Sequence, residues 1–67
     1  MKFKIESEYI QLNQLLKILR ISQSGGQAKL MIEDGEVKVN GKVDFRVRAK
    51  LYPGDKIEAF DREIEIE

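Results

Sequence analysis

The sequence predicts an α+β domain in which two helices pack on a small twisted antiparallel sheet, with further strands added at the N- and C-terminal ends. Three observations predict it: apolar residues recur with a helical period in the stretches 12–19 and 28–32, an Asn-Gly pair at 40–41 marks a tight hairpin, and both ends of the chain alternate apolar with charged residues.

Lys2 to Glu6 places Phe3 and Ile5 on one side and Lys2, Lys4 and Glu6 on the other, the pattern of a half-buried strand. From Leu12 the period changes. Leu12, Leu15, Leu16 and Leu19 stand at i, i+3, i+4 and i+7, the apolar stripe of an amphipathic helix. Its outer face is Asn13, Gln14, Lys17 and Arg20, with Lys17 and Arg20 neighbours near the C-terminal end, where the helix dipole favours cations. Ser24 and Gln27 fit a capping box, in which the hydroxyl accepts an early backbone N–H and the glutamine reaches back, so a second helix starts there. Ala28, Met31 and Ile32 form its buried stripe, while Lys29, about 100° around from Ala28, is exposed. Gly35 after Asp34 is its stop, because the residue just past a helix cap commonly needs positive φ.

Val37, Lys38 and Val39 alternate again, and Asn40-Gly41 fits a type I′ turn, whose two central residues both take positive φ. After the turn, Phe45, Val47, Ala49 and Leu51 fall on one side and Asp44, Arg46, Arg48 and Lys50 on the other, predicting a second extended run. Pro53-Gly54 suits the centre of a type II turn. Ile57 and Ala59, then Ile64 and Ile66, predict a last strand pair turning around Asp61-Arg62, with Glu63, Glu65 and Glu67 outward. If the last strand lies near the first, Lys2 and Lys4 partly neutralise it.

A chain of 67 residues makes one domain and buries only about 60% of the surface its unfolded form exposes, so there is one small core and little room for an enzymatic pocket. Charged residues at 36% and apolar residues at 42% suffice for folding and argue against disorder. Cysteine and histidine are both absent, which removes disulfides, thiolate nucleophiles, the usual zinc ligands and the commonest general base. No enzyme activity, metal or cofactor is therefore expected. The N-terminal residues interleave charge with apolar side chains and hold no continuous apolar run, so neither a signal peptide nor a membrane span is expected, and the chain reads as cytoplasmic.

The formal net charge of zero hides an asymmetry. Residues 38–56 carry six cations against two carboxylates, a net of +4, and residues 57–67 carry one against five, a net of −4. Arg46, Arg48 and Lys50 stand at alternate positions. On an extended strand, alternate side chains share a face about 6.6 Å apart, so three cations would form a ladder able to track a phosphate backbone. A solvated edge strand charged against aggregation gives the same pattern. Lys17, Arg20 and Lys29 would extend the ladder if the helices lie beside the hairpin, and Lys42 at the turn is peripheral. Gly25-Gly26 opens the second helix, where free N–H groups could receive a phosphate and where small residues also suit a tight interhelical turn.

The series S-x-x-x-A-K-x-x-I, then G-x-V-x-V-N-G, then a basic run and P-G-D-x-I resembles the RNA-binding domain named after small-subunit ribosomal protein S-four, also called the αL motif. The resemblance rests on Ser24, Ala28, Lys29 and Ile32, then Gly35, Val37, Val39, Asn40 and Gly41, then Pro53, Gly54, Asp55 and Ile57. It covers a motif core of about residues 12–59 within a single domain spanning 1–67. Within that family the chain is most similar to short, stand-alone bacterial proteins of the YaaA/YbcJ type. Gly25 stands where relatives often carry an RNA-contacting Arg, and Arg20 and Lys29 match basic positions of the motif.

The resemblance implies a non-catalytic protein that binds structured ribosomal or transfer RNA, free or in a ribosomal subunit, with no small-molecule substrate. The expected contacts are Arg46, Arg48 and Lys50 on phosphates, with Arg20, Lys29, Lys17, Lys42 and Gln27 around them. Base specificity is expected to be low, because only Gln27 and Asn40 offer bidentate amide edges and the turn occupies Asn40. The rival reading is a protein-interaction module docking through the acidic C-terminal face. A sulfur carrier of the β-grasp type would need a C-terminal Gly-Gly, where this chain has Ile66-Glu67.

Overall fold

The computed structural model describes all 67 residues. Strands β1 (Lys2–Phe3) and β2 (Ile10–Gln11) precede helices α1 (Leu12–Ile18) and α2 (Gly25–Glu33). Five strands follow: β3 (Val37–Val39), β4 (Lys42–Val43), β5 (Lys50–Leu51), β6 (Lys56–Ala59) and β7 (Arg62–Ile66). The main sheet has the order β1-β7-β6-β3-β4, and β2 and β5 form a separate two-stranded ribbon. No helix is long and apolar enough to cross a membrane.

The apolar periods place the core. Leu12, Leu15 and Leu16 from α1 and Ala28, Met31 and Ile32 from α2 are buried against Val37, Ile57, Ala59, Ile64 and Ile66 from the sheet, with Ile10 and Leu51 of the ribbon closing one end. The ladder sets Val37 opposite Ala59, Val39 opposite Ile57, and Ile57 opposite Ile64, so one face of the sheet is apolar up to Arg62, which stands opposite Ala59 at its end. The opposite face carries Lys38, Lys56, Glu58, Glu63 and Glu65, all at alternate positions.

The turns follow their residues. Asn40 and Gly41 take φ of 53° and 85°, as a type I′ hairpin requires. The Tyr52 carbonyl accepts the Asp55 N–H at 3.0 Å across Pro53-Gly54, and Gly54 has φ 100°, as in a type II turn. The Asn40 side chain is occupied, with its Nδ2 donating to Asp55 Oδ1 at 3.0 Å and its Oδ1 accepting the Lys56 N–H at 2.9 Å, so it braces the second turn against the first.

Both helices end in the same way. At α2, the Gly35 N–H reaches Ile32 O and the Glu36 N–H reaches Met31 O, the paired bonds of a Schellman motif, with Gly35 at φ 80°. At α1, Arg20 donates to Lys17 O and Ile21 to Leu16 O, with Arg20 itself at φ 59°. Arg20 therefore lies past α1, in the left-handed position that Gly usually takes, and not on the helix face that the spacing predicts.

Five further expectations are corrected. The sheet is not wholly antiparallel, because β1 pairs with β7 in parallel, Lys2 opposite Glu65 and Phe3 opposite Ile66. Such a pairing needs a long crossover, which the whole intervening chain supplies. β1 stops at Phe3 and not at Glu6, although the Ile5 N–H still bonds Glu67 O at 3.1 Å. Lys2 meets Glu67 at 3.5 Å, as the expected adjacency of first and last strands requires. The last hairpin turns at Phe60 and Asp61, since Ala59 pairs with Arg62, and Phe60 takes φ 57°. Asn13 is half-buried, not on the outer face of α1. Most consequential, residues 44–49 form no strand.

Candidate nucleic-acid interface

The 44–49 segment departs from extended geometry because a side chain competes for its backbone. Asp44 Oδ1 accepts the Arg46 N–H at 2.9 Å, an Asx turn, and the Ala49 N–H then closes on Arg46 O at 3.2 Å. The loop is pinned at its far side by the start of α1, where Leu12 donates to Ala49 O at 2.9 Å and Asn13 to Val47 O at 3.1 Å. Ala49 is buried and Val47 half-buried, while Phe45, expected inward, is 62% exposed. Only Lys50 and Leu51 remain extended, and they pair with Ile10 and Gln11, not with the hairpin. The three cations are thus presented by a loop and not by a strand ladder.

The loop carries its cations to the start of α2. Ser24 caps that helix, its Oγ accepting the Gln27 N–H at 3.1 Å. The Gln27 Oε1 accepts the N–H of Gln23, one residue before the cap, so its amide oxygen is engaged in shaping the turn. A Cβ on Gly25 would meet nothing within 4 Å and one on Gly26 only Ser24 Oγ at 3.9 Å, so the helix N-terminus is open to approach. Asn13, Gly25, Gly26, Lys29, Val47 and Arg48 line one cleft there. Lys29 and Arg48 therefore flank the exposed N–H groups and positive dipole end of α2, a geometry suited to anions.

Arg48 also belongs to a second concavity, shared with Arg46, Ala49, Lys50 and Tyr52. Arg46 is paired: its Nε donates to Asp44 Oδ1 at 3.0 Å and a terminal nitrogen to Asp44 Oδ2 at 2.8 Å. That hydrogen bond is the chief cause holding the Asp44 carboxyl below its ordinary value, against desolvation, and it raises the Arg46 guanidinium in turn. Lys50 sits with its Nζ 4.9 Å from the centre of the Tyr9 ring.

The remaining predicted residues are dispersed. Lys17 lines a groove with Tyr9, Ile10, Gln14 and Ile18. Lys42 lies on the edge strand β4 and shares a hollow with Val43, Phe45 and Arg46. Arg20 lines none of these concavities; the neighbouring Leu19 carbonyl accepts from Arg62 at 3.4 Å. The structure thus brings Lys29, Arg46, Arg48 and Lys50 onto one continuous surface, joins Lys42 to it through Arg46, and leaves Lys17 and Arg20 outside it. Tyr9 and Tyr52, 5.9 Å apart at the same surface, do not stand out in the sequence, because a two-residue ribbon is too short to show a period.

Comparison with known proteins agrees with this architecture. The solution structure of Escherichia coli YbcJ, described as revealing an αL motif involved in RNA-binding, superposes with a TM-score of 0.72 and 33% identity over 97% of this chain and 84% of YbcJ. In sequence, YbcJ of strain K12 is 43% identical over 49 residues, 73% of this chain and 70% of its own length. A probable ribosome maturation protein of Bacillus subtilis (strain 168), RlbA, is 46% identical over 54 residues, 81% of this chain and 76% of its own. The family described as the S4 domain matches residues 3–67. With nearly the whole chain matched, and with the capped helix, the Asn-Gly hairpin and the Pro-Gly turn all in place, this protein belongs to the S4 domain family.

Proposed function

We propose that this chain is a non-catalytic RNA-binding protein of the cytoplasm that holds structured ribosomal or transfer RNA by its phosphate backbone. The observation that carries the reading is the open N-terminus of α2 set between Lys29 and Arg48, continuous with Lys50 through the loop. A backbone-directed surface of this kind recognises shape and charge before sequence. The αL motif of YbcJ, named for RNA-binding, supports the reading, and the name of RlbA favours ribosomal RNA. Residues 12–59 would form the binding core, with β1 and β7 supporting it. Lys17, Lys42 and Arg20 would add long-range attraction, and Gln27 would act through the cap of α2 and not by reading bases.

The acidic C-terminal face suits a protein partner less well. Its Glu65 stands between Lys2 and Lys56 in the ladder and Glu67 pairs with Lys2, so the face is compensated at those two positions and keeps its excess charge at the facing Glu58 and Glu63. Fluorescence anisotropy with a structured ribosomal RNA fragment across a salt series tests the proposal. Log affinity should fall with log salt by about 0.7–0.9 per phosphate neutralised. A Lys29→Ala, Arg48→Ala, Lys50→Ala variant should flatten that slope by about two to three phosphates' worth. No binding at low salt, or equal slopes for the two proteins, would move the protein-docking reading to first place.

A further inference from the structure

The β2–β5 ribbon has two faces. Its register sets Ile10 opposite Leu51 and Gln11 opposite Lys50, and carried one residue outward it sets Tyr9 opposite Tyr52. Successive side chains alternate across a strand. Ile10 and Leu51 go to the core, 8% and 0% exposed, so Tyr9, Gln11, Lys50 and Tyr52 share the outer face. The contacts bear this out: the tyrosine ring centres are 5.9 Å apart with the planes tilted by 47°, and the Lys50 ammonium covers the Tyr9 ring. Tyr52 is 41% exposed and carries no such cover. A cross-strand tyrosine pair helps to stabilise so short a ladder, and that role would suffice if the pair stood apart from the cations. It does not. Tyr52 lines the concavity of Arg46, Arg48 and Lys50, and Tyr9 lines the groove of Lys17, so the two rings lie between a three-cation concavity and a single lysine.

We propose that this tyrosine pair is a stacking platform for one unpaired base, with Tyr52 presenting the ring face and Tyr9 and Lys50 backing it. The preferred RNA is then a stem interrupted by a bulge or ended by a loop, not a continuous duplex. The inference rests on the RNA-binding reading above. Cations on both sides of the Tyr52 ring hold phosphates while the base between them turns onto its face. Bases inside a regular A-form helix are already stacked on one another, so only a splayed nucleotide can use such a surface.

Two RNAs of equal length provide the test, one a perfect duplex and the other with a single-nucleotide bulge bearing 2-aminopurine. Each is titrated by anisotropy with the native chain, Tyr52→Phe and Tyr52→Leu, and a urea melt of each protein confirms the fold. The native chain should prefer the bulged RNA by about five- to 150-fold, the range of one base–aromatic stack, and should quench the 2-aminopurine. Tyr52→Phe should keep that preference and Tyr52→Leu should lose it while holding its duplex affinity. Equal native affinity for the two RNAs would overturn the platform and leave the rings as a contact for a protein. A bulge preference that survives in a folded Tyr52→Leu chain would overturn it as well. Failure of the native chain to bind either RNA would overturn the RNA-binding reading and the platform with it, whereas the preceding two outcomes leave RNA binding intact.

Discussion

Asp44 decides how many of the loop's cations are free. It holds the Arg46 backbone by one hydrogen bond and the guanidinium by two more, while its side chain is only 11% exposed. Because the folded carboxyl titrates below its ordinary value, the stabilisation it gives is present in full above about pH 3.9 and is lost as pH falls through the lower folded value. An NMR titration should therefore find the Asp44 midpoint below that of an unstructured aspartate, and Arg46→Ala should move it up. Asp44→Asn keeps an oxygen for the Arg46 N–H but releases the guanidinium. RNA affinity should then rise and the salt slope steepen by about one phosphate; an unchanged slope would show that Arg46 does not face the RNA. Arg20 offers a complementary test, since it occupies a left-handed position at φ 59° that costs a residue with a Cβ about 1 kcal/mol or more. Arg20→Gly should raise the urea midpoint, and should weaken RNA binding only if the Arg20 charge takes part.

The strands show what the ladder tolerates. On the outer face of the main sheet, Lys2, Glu65 and Lys56 form a complementary row, but in the next row Glu58 stands directly opposite Glu63, with Lys38 beside Glu58 and the N-terminal ammonium donating to the Glu63 carbonyl at 3.1 Å. Like charges in that relation are destabilising. Glu63→Lys should stabilise the chain by roughly 0.2–1 kcal/mol in urea unfolding with an unchanged m-value, and the gain should shrink as salt is added; a loss of stability would mean that Glu63 serves a contact beyond the ladder. The end of α2 is constrained in another way. A Cβ on Gly35 would approach the Phe45 ring to 3.3 Å while the backbone holds φ 80°, so the helix stop and the exposed aromatic share one small space.

At the scale of the whole molecule, the sequence discloses what repeats or punctuates. The leucine stripe, the Ser24 cap, Gly35, Asn40-Gly41 and Pro53-Gly54 are each local signals, and each stands in the structure where its chemistry places it. Residues 44–51 mislead because alternation is a statement about side chains, whereas the path of that loop is decided by one Asx turn and by backbone bonds to α1 from more than thirty residues away in sequence. The site suffers for the same reason. Lys29, Arg48 and Lys50 are visible as cations, but that Arg48 meets Lys29 at a helix terminus, and that Tyr9 faces Tyr52, depends on where the ribbon sits. The parallel β1–β7 pair is likewise invisible to any local window.

That pair also sets an order in time. Its bonds join residues 2–3 to residues 65–66, so they close a loop of almost the whole chain, and the entropy of closing it must be met before any of them forms. The β3–β6–β7 meander and the two helices can condense through far shorter loops. β1 is then a clasp fastened last and the first to open, and its release would bare the edge of β7 while leaving the core in place.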